Sequence, residues 1–255
     1  MKARIRADQL VFEQGLAESR EKAKSLIMAG RVLLQGPAVS GPLKPGRLLP
    51  PDTVFELKPG RDFVSRGAYK LATILDALNL DVTGFVCLDA GASTGGFTDC
   101  LLQRGAAKVY AVDVGKNQLH EKLRADARVI SMEGVNLRTA PPGLLPEKVD
   151  LVTGDVSFIS LTHILPVCSQ WAKPGARAAI LIKPQFELGP EKVHKGVVRN
   201  DADRLLAVEK IIRFCEDSLG WHAELALPAK IRGPKGNQEY MALFRTGARP
   251  EPGQE

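Results

Sequence analysis

A chain of 255 residues with 44% apolar residues can form one large domain, or a medium and a small one, around a hydrophobic core. It contains no apolar run as long as a membrane span and no signal-like start, so we expect no membrane partner and no export. The four cysteines form no CxxC pair or Cys/His cluster. We therefore expect no bound metal, no disulfide framework and a reducing, cytoplasmic location.

The formal net charge of +6 is concentrated at the start of the chain. Residues 1–70 contain thirteen Lys and Arg against seven Asp and Glu, whereas the remaining residues balance at 22 against 22. This asymmetry favours a polyanionic partner for the N-terminal part. A merely solvated basic surface is the alternative, because the seven acids are interspersed.

The first 58 residues show the pattern of a small α+β domain. Apolar spacing predicts helices over 8–14 and 20–29, with Ser19 as N-cap of the second, and short strands over 32–34 and 54–57. Two helices on a small sheet, with basic side chains along one helix, suit structured RNA bound through its shape and phosphates. The candidate RNA contacts here are Arg4, Arg6, Ser19, Arg20, Lys22, Lys24 and Arg31.

This N-terminal segment resembles the S4 RNA-binding fold. The residues that carry the resemblance are Asp8-Gln9-Leu10, Ser19-Arg20, Ala23 and Gly30-Arg31-Val32. Ala7 departs from the pattern, because the family usually has a larger apolar residue at this position.

Beyond a predicted linker at 59–64, strand and helix patterns alternate over 65–245, and a Pro-, Gly- and Glu-rich tail at 246–255 is predicted to be disordered. The predicted strands are 85–89, 108–113, 128–132, 149–155, 176–183, 222–227 and 239–245. The predicted helices are 66–79, 96–104, 117–124, 160–172 and 201–218. Such alternation predicts an α/β fold with a seven-stranded doubly wound sheet, which binds ligands at the carboxyl ends of its strands.

The stretch Asp-Ala-Gly-Ala-Ser-Thr-Gly-Gly-Phe-Thr at 89–98 follows the first of these strands and opens a helix. Gly91 permits a tight turn, and Gly95 and Gly96 are expected to let a ligand approach the backbone. The next strand ends in Asp113, which is placed to accept hydrogen bonds from both hydroxyls of a ribose. The spacing fits a dinucleotide and S-adenosylmethionine equally well. The departure of the loop from G-x-G-x-x-G favours S-adenosylmethionine.

The candidate contacts of this cofactor lie on the glycine loop and on the strand ends beside it. They are Asp89, Gly91, Ala92, Ser93, Thr94, Gly95, Gly96, Phe97, Asp113, Asn136 and Asp155. Asn136, or Glu133 just before it, is expected near the adenine edge.

Four charged residues lie where strands end or where loops pass over that same edge: Lys70, Asp155, Lys183 and Glu239. Lys183 directly follows five apolar strand residues, although lysine is rarely buried without a partner. A strand that simply ends in solvent at Lys183 is about as plausible for this residue alone. The set of four beside a glycine loop favours a catalytic site.

Several segments, in order and spacing over residues 4–245, resemble the TlyA/haemolysin-A-like family, which joins an S4 domain to an FtsJ-type (RrmJ-like) ribose methyltransferase. They are 65–71, 89–98, 154–158, 182–187 and 233–240. The resemblance implies a Rossmann-like fold and S-adenosylmethionine-dependent 2′-O-methylation of ribosomal RNA in 30S subunits, 50S subunits or both. It also implies a catalytic Lys-Asp-Lys-Glu tetrad, which falls on Lys70, Asp155, Lys183 and Glu239.

Methyl transfer to a ribose hydroxyl is an in-line displacement, and the hydroxyl is a poor nucleophile until its proton is removed or strongly hydrogen-bonded. A neutral Lys183 could act as the base, whereas a charged Lys183 could stabilise the developing alkoxide. The sequence does not decide between these roles. Basic side chains in the loops nearby are further candidate RNA contacts: Arg66, Lys192, Lys195, Arg232 and Lys235.

Three other functions are compatible with parts of the sequence, and one of them, a small-molecule methyltransferase, is disfavoured by the basic N-terminal part. The chain could be a ribosome-binding or assembly factor that keeps an inactive methyltransferase fold, although the intact tetrad and glycine loop argue against this. A pore-forming haemolysin is disfavoured because the sequence shows neither a spanning helix nor a barrel pattern. The oligomeric state is not predicted.

Overall fold

A computed structural model of the chain describes residues 4–28, 30–35, 43–58 and 63–247, except for the side chain of Pro234. Contacts within the chain divide it into two compact units, 1–62 and 63–255. Among the described residues, no helix is both long enough and apolar enough to cross a membrane.

Within its described residues, the first unit has two helices and two short antiparallel ladders. Its elements are β1 (Ile5–Arg6), α1 (Ala7–Glu13), α2 (Arg20–Met28), β2 (Val32–Gln35), β3 (Leu48–Leu49) and β4 (Val54–Leu57). β1 pairs with β3, and β2 pairs with β4. One apolar face of each helix packs into a small core that includes Leu10, Leu26, Ile27 and Phe55, each less than 5% exposed. Strands β1 and β3 are too short for hydrophobic periodicity to predict them from the sequence.

The second unit is an α/β domain built on one seven-stranded sheet. Its strands are β5 (Val86–Ala90), β6 (Lys108–Asp113), β7 (Val129–Glu133), β8 (Val149–Gly154), β9 (Ala172–Ile182), β10 (His222–Pro228) and β11 (Tyr240–Arg245). Its helices are α3 (Gly67–Ala77), α4 (Gly96–Gln103), α5 (Glu121–Arg124), α6 (Leu165–Cys168), α7 (Pro184–Glu187) and α8 (Asp201–Leu219). Short 3-10 turns occupy Pro142–Leu144, Leu161–His163 and Pro234–Gly236.

The strand order is β10-β11-β9-β8-β5-β6-β7, with β11 antiparallel to both of its neighbours and the other pairs parallel. The chain runs outward from β5 through β6 to β7 and then returns to place β8 on the other side of β5. The carboxyl ends of β5 and β8 therefore form a topological switch point, where a crevice opens in sheets of this kind.

Side chains on alternate strand positions bury two separate apolar layers. Cys87 and Leu151 face the layer that α3 and α4 cover, whereas Leu88 and Val152 face the layer that α6 and α8 cover. The sheet is thus covered on both faces, and the predicted α/β class is confirmed.

Two predicted helices are wrong in extent. Of 117–124, only Glu121–Arg124 is helical, because the Glu133 carboxylate accepts the backbone N–H groups of Asn117, Gln118 and Leu119 at 2.7–3.1 Å and holds them in a loop.

The predicted helix at 160–172 is instead a 3-10 turn, the four-residue α6 and the start of β9. Pro166 lies in the first turn of α6, where its missing N–H is tolerated, and cannot sit in the interior of a longer helix.

The predicted linker at 59–64 also needs correction. Phe63 is 6% exposed in the core of the second unit and lies edge-on to Tyr69, with ring centroids 5.1 Å apart. The Val64 N–H donates to Asp99 Oδ2 at 2.7 Å. Residues 59–62, the predicted helix end at Ala29 and most of the predicted tail (248–255) lie outside the described residues.

Candidate active site

Two adjoining cavities open at the switch point, with volumes of about 290 Å³ and about 540 Å³. Both are lined by Gly91, Ser93, Asp155 and Ser157, so the ends of β5 and β8 form their common wall. The smaller cavity extends toward α3 and the loop after β10. The larger one extends toward the ends of β6 and β7.

The glycine loop shapes this wall. Gly91 has φ of +82°, and a Cβ built on it would lie 2.8 Å from the Asp155 carbonyl oxygen. The loop thus packs directly on the chain that carries Asp155. Gly95 faces elsewhere, because its Cβ would lie 2.2 Å from Leu123 Cδ1, and it lines neither cavity. Its predicted role in ligand approach has no support in this geometry, whereas Gly96 does line the smaller cavity.

Asp113 lies at the end of β6 and lines the larger cavity. Its Oδ2 accepts the Ser93 N–H at 2.8 Å, and its Oδ1 accepts the Gly115 N–H at 2.7 Å. The carboxylate is thereby fixed against the glycine loop, with lone pairs left for a ligand. Asn136 lines the same cavity, whereas the carboxylate of Glu133 is engaged by the loop at 117–119.

Lys183 and Asp155 form a close ion pair. The Lys183 Nζ lies 2.5 Å from Asp155 Oδ1 and donates to Ser157 Oγ at 2.7 Å. Lys183 is only 8% exposed, so the alternative that it simply reaches solvent is wrong. The strand ends of β8 and β9 therefore bring an ammonium, a carboxylate and a hydroxyl together in the smaller cavity.

A second ion pair lies on the α3 side of the same cavity. Lys70 Nζ, from α3, lies 2.6 Å from Glu239 Oε2, just before β11, with the Glu239 side chain fully buried. Lys70 lines the cavity, whereas Glu239 lies behind it under Gly233, whose Cβ would lie 2.0 Å from Glu239 Oε1. Glu239 therefore does not line the cavity itself and acts on it only by its contact with Lys70.

Asp89 is a fully buried carboxyl group on the wall of the smaller cavity. It accepts hydrogen bonds from the Thr98 N–H at 2.9 Å, from Thr98 Oγ1 at 2.7 Å and from Thr153 Oγ1 at 3.2 Å. The pKa of Asp89 is raised to about 7, mainly by burial and also by the negative charge of Asp155, against the lowering effect of the Thr98 hydrogen bonds.

The predicted site residues fall into three groups. The smaller cavity collects Arg66, Lys70, Asp89, Gly91, Ala92, Ser93, Thr94, Gly96, Phe97, Asp155, Lys183 and Arg232. The larger cavity collects Gly91, Ser93, Asp113, Asn136 and Asp155. Gly95 and Glu239 line neither.

Sequence reasoning missed Ser157 and the apolar wall of the larger cavity. Ser157 stands two residues after Asp155, and that spacing from a candidate catalytic residue was the signal available. The wall is formed by Val114, Val135, Leu137, Val156, Phe158, Ile159 and Ile164. These residues read as ordinary apolar positions in sequence, and only the fold shows that they face a cavity.

The basic side chains predicted to contact RNA have varied surroundings. In the second unit, Lys192 pairs with Asp203 at 2.7 Å, and Lys235 Nζ donates to the Lys195 carbonyl at 3.2 Å. In the first unit, Arg31 donates to the Lys58 carbonyl.

The remaining candidates of the first unit lie around α1 and α2. Arg4 is exposed. The Ser19 Oγ accepts a hydrogen bond from the Lys22 N–H at 3.1 Å, and the Lys24 Nζ lies 3.7 Å from Glu21 Oε2. Arg6 and Arg20 both contact Asp8.

The sheet order, the glycine loop at its switch point and the carboxylate that ends β6 define a Rossmann-like fold with a nucleoside site. Comparison with known proteins agrees. The model of the FtsJ-like methyltransferase family matches residues 63–246, and that of the S4 domain matches residues 5–40.

The chain is 43% identical over 250 residues to the 16S/23S rRNA (cytidine-2′-O)-methyltransferase TlyA of Mycobacterium tuberculosis, covering 96% of this chain and 91% of TlyA. It is 39% identical to Hemolysin A of Brachyspira hyodysenteriae, covering 94% of this chain and 99% of that protein. Among solved structures, a protein described as a candidate hemolysin from Streptococcus thermophilus superposes with a TM-score of 0.72 at 40% identity, covering 98% of this chain and 91% of that one.

The chain belongs to the FtsJ-like methyltransferase family, and TlyA and Hemolysin A are its relatives. It is therefore a methyltransferase, and S-adenosylmethionine is its methyl donor, as the sequence predicts. The S4 match confirms the RNA-binding fold that the sequence predicts for the first unit.

Proposed function

We propose that this protein transfers a methyl group from S-adenosylmethionine to a ribose 2′-hydroxyl of ribosomal RNA, as the name of TlyA describes for that relative. The observation that carries the proposal is the pair of buried ammonium–carboxylate contacts, Lys183 with Asp155 and Lys70 with Glu239, beside the glycine loop. More specifically, we propose that the substrate nucleotides are cytidines in 30S subunits, 50S subunits or both.

The larger cavity fits the cofactor. Its apolar wall suits a flat adenine ring, and Asp113, fixed by two backbone N–H groups, suits a ribose diol. Gly91 and Ser93 lie where the two cavities meet, so we assign the methionine part to the glycine loop. When bound, S-adenosylmethionine supplies a methyl group activated by the adjacent sulfonium.

The smaller cavity fits the acceptor hydroxyl. An ammonium has three N–H donors, so Lys183 can bind a hydroxyl oxygen while it remains in contact with Asp155 and Ser157. Its contact with Asp155 holds the Lys183 ammonium in place, where it can stabilise negative charge that develops on the oxygen. Asp155 lies beside it as the carboxylate to which the hydroxyl proton can pass.

Lys70 adds a second positive charge to the lining of the same cavity. Glu239 holds Lys70 from behind at 2.6 Å, and this contact fixes the direction of a side chain that would otherwise be mobile. We therefore assign Lys70, Asp155 and Lys183 contact with the reacting groups and Glu239 a positioning role.

We assign RNA binding to the basic residues of the first unit and to those around the mouth of the smaller cavity. Arg66 and Arg232 line that cavity, next to the assigned hydroxyl site. A basic rim suits phosphates on either side of the target nucleotide.

The test is transfer of labelled methyl from S-adenosylmethionine to intact 30S and 50S subunits by wild type, Lys183→Ala and Lys173→Ala. Lys173 is a matched control, because it also pairs with an aspartate, Asp150 at 2.6 Å, but lines neither cavity. We expect wild type and Lys173→Ala to label a subunit and Lys183→Ala to lose at least about a hundredfold in rate.

Retained cofactor binding in Lys183→Ala, measured by calorimetry, would place its defect in the transfer step. Absence of labelling of either subunit by wild type, despite cofactor binding, would refute rRNA methylation and favour a ribosome partner without this activity.

A further inference from the structure

The first unit contains a buried carboxylate for which the proposed function gives no role. Asp8, on α1, is 2% exposed, although the unit carries an excess of positive charge and is proposed to bind a polyanion. A buried carboxylate in such a unit weakens RNA binding electrostatically unless it has another effect.

Two arginines from different elements converge on Asp8. Arg6, at the end of β1, donates from Nε to Asp8 Oδ1 at 3.0 Å and from Nη2 to Oδ2 at 2.6 Å, which is a two-pronged contact. Arg20, at the start of α2, donates from Nε to the same Oδ1 at 3.3 Å. One carboxylate therefore brings together two guanidinium groups that are fourteen positions apart in the chain.

Both arginines keep donors directed away from Asp8. Their side chains are 44% and 51% exposed, whereas that of Asp8 is 3% exposed. Within the described residues, the Nη1 atom of Arg6 and both Nη atoms of Arg20 form no further hydrogen bond. Gly46 lies against Arg6, since a Cβ on that glycine would be 3.2 Å from Nη1.

We propose that Asp8 is a positioning residue that holds Arg6 and Arg20 together as a two-guanidinium clamp for RNA phosphate. Arginine loses substantial rotamer freedom when it binds, and a side chain already held in place loses less. The pair keeps a net positive charge of one after the carboxylate is counted, and its free donors fit phosphate oxygens. The inference rests on the RNA substrate proposed above.

Asp8→Asn and Glu13→Gln form the matched test, because each removes one negative charge from α1. Glu13 is exposed and accepts a hydrogen bond from Gln9 rather than from an arginine. In Asp8→Asn, an NH2 group faces an arginine donor in place of an acceptor, so the clamp opens. Simple electrostatics predicts tighter RNA binding by both variants, whereas the clamp predicts opposite directions.

The measurement is binding of the full-length chain to isolated 30S and 50S subunits at fixed salt. We expect Asp8→Asn to bind at least about fivefold more weakly than wild type, from the ordering of two arginines, and Glu13→Gln to bind equally or more tightly. Equal or tighter binding by Asp8→Asn would overturn the proposal.

A second comparison separates positioning from a loss of folding. In a background with Arg6→Ala and Arg20→Ala, adding Asp8→Asn should cause no further loss of affinity, because there is no clamp left to open. The same loss in both backgrounds would show a general structural effect and overturn the clamp.

Methyl transfer by wild type is scored separately. Labelling of a subunit by wild type, together with binding by Asp8→Asn as tight as that of wild type, would leave the proposed function standing and refute only the clamp. Absence of any subunit binding by wild type would refute both.

Discussion

Asp89 gives a sharp prediction, because its carboxyl group is completely buried and its pKa is raised from 3.8 to about 7. Between these two pH values the folded chain holds a proton on Asp89 that the unfolded chain has released. Stability from this group is therefore fully present below pH 3.8 and is lost as the pH rises toward 7. At about 1.4 kcal/mol for each pH unit, the loss reaches about 4 kcal/mol.

Asp89→Asn should remove this pH dependence while it keeps the hydrogen bonds. The amide oxygen can accept from the Thr98 N–H and Oγ1, and the amide NH2 can donate to Thr153 Oγ1. Thr153 is able to accept because its own hydroxyl can donate to the Leu88 carbonyl at 3.1 Å. The variant should gain stability relative to wild type by about 3 kcal/mol between pH 5 and pH 8.

The assay is urea unfolding at pH 5, 6, 7 and 8, followed by tryptophan fluorescence. Both tryptophans of the chain, Trp171 and Trp221, are buried in the second unit, so the signal reports the unit that contains Asp89. Asp81→Asn is the control, because its exposed carboxylate accepts hydrogen bonds from Thr83 that lower its pKa, and it is ionised throughout this range. A stability difference between Asp89→Asn and wild type that stays constant from pH 5 to 8 would refute the reasoning.

Two further predictions concern the glycine loop and the second ion pair. Gly91→Ala should lower the free energy of unfolding by about 2–5 kcal/mol, because of the positive φ and the contact with the Asp155 carbonyl. Gly84→Ala is the control: its φ is +75° with nothing within 4 Å, so it should lower that free energy by only about 1–2 kcal/mol. Equal losses for the two variants in urea unfolding would show that the contact is unimportant. Glu239→Gln should destabilise by about 3–5 kcal/mol by leaving Lys70 buried without its partner. Adding Lys70→Met should restore much of that stability but no methyl transfer, and recovery of activity in the double variant would contradict the assigned roles.

The sequence by itself determined the features that depend on neighbouring residues. Apolar runs and glycines a few positions apart predict the strand that carries Asp89, the turn at Gly91 and the helix after Gly95, and the structure has all three. Strand patterns placed Asp155 and Lys183 at strand ends, and parallel strands bring their carboxyl ends to one edge.

Only the tertiary structure decided which side chains meet and which are shielded from water. The position of β11 between β10 and β9 brings Glu239 behind Lys70, and the closure of the Glu133 carboxylate on 117–119 replaces half of a predicted helix. These outcomes depend on desolvation and on contacts between residues far apart in the chain. Local periodicity carries no information about either, because a buried ion pair and a solvated one can share the same sequence pattern.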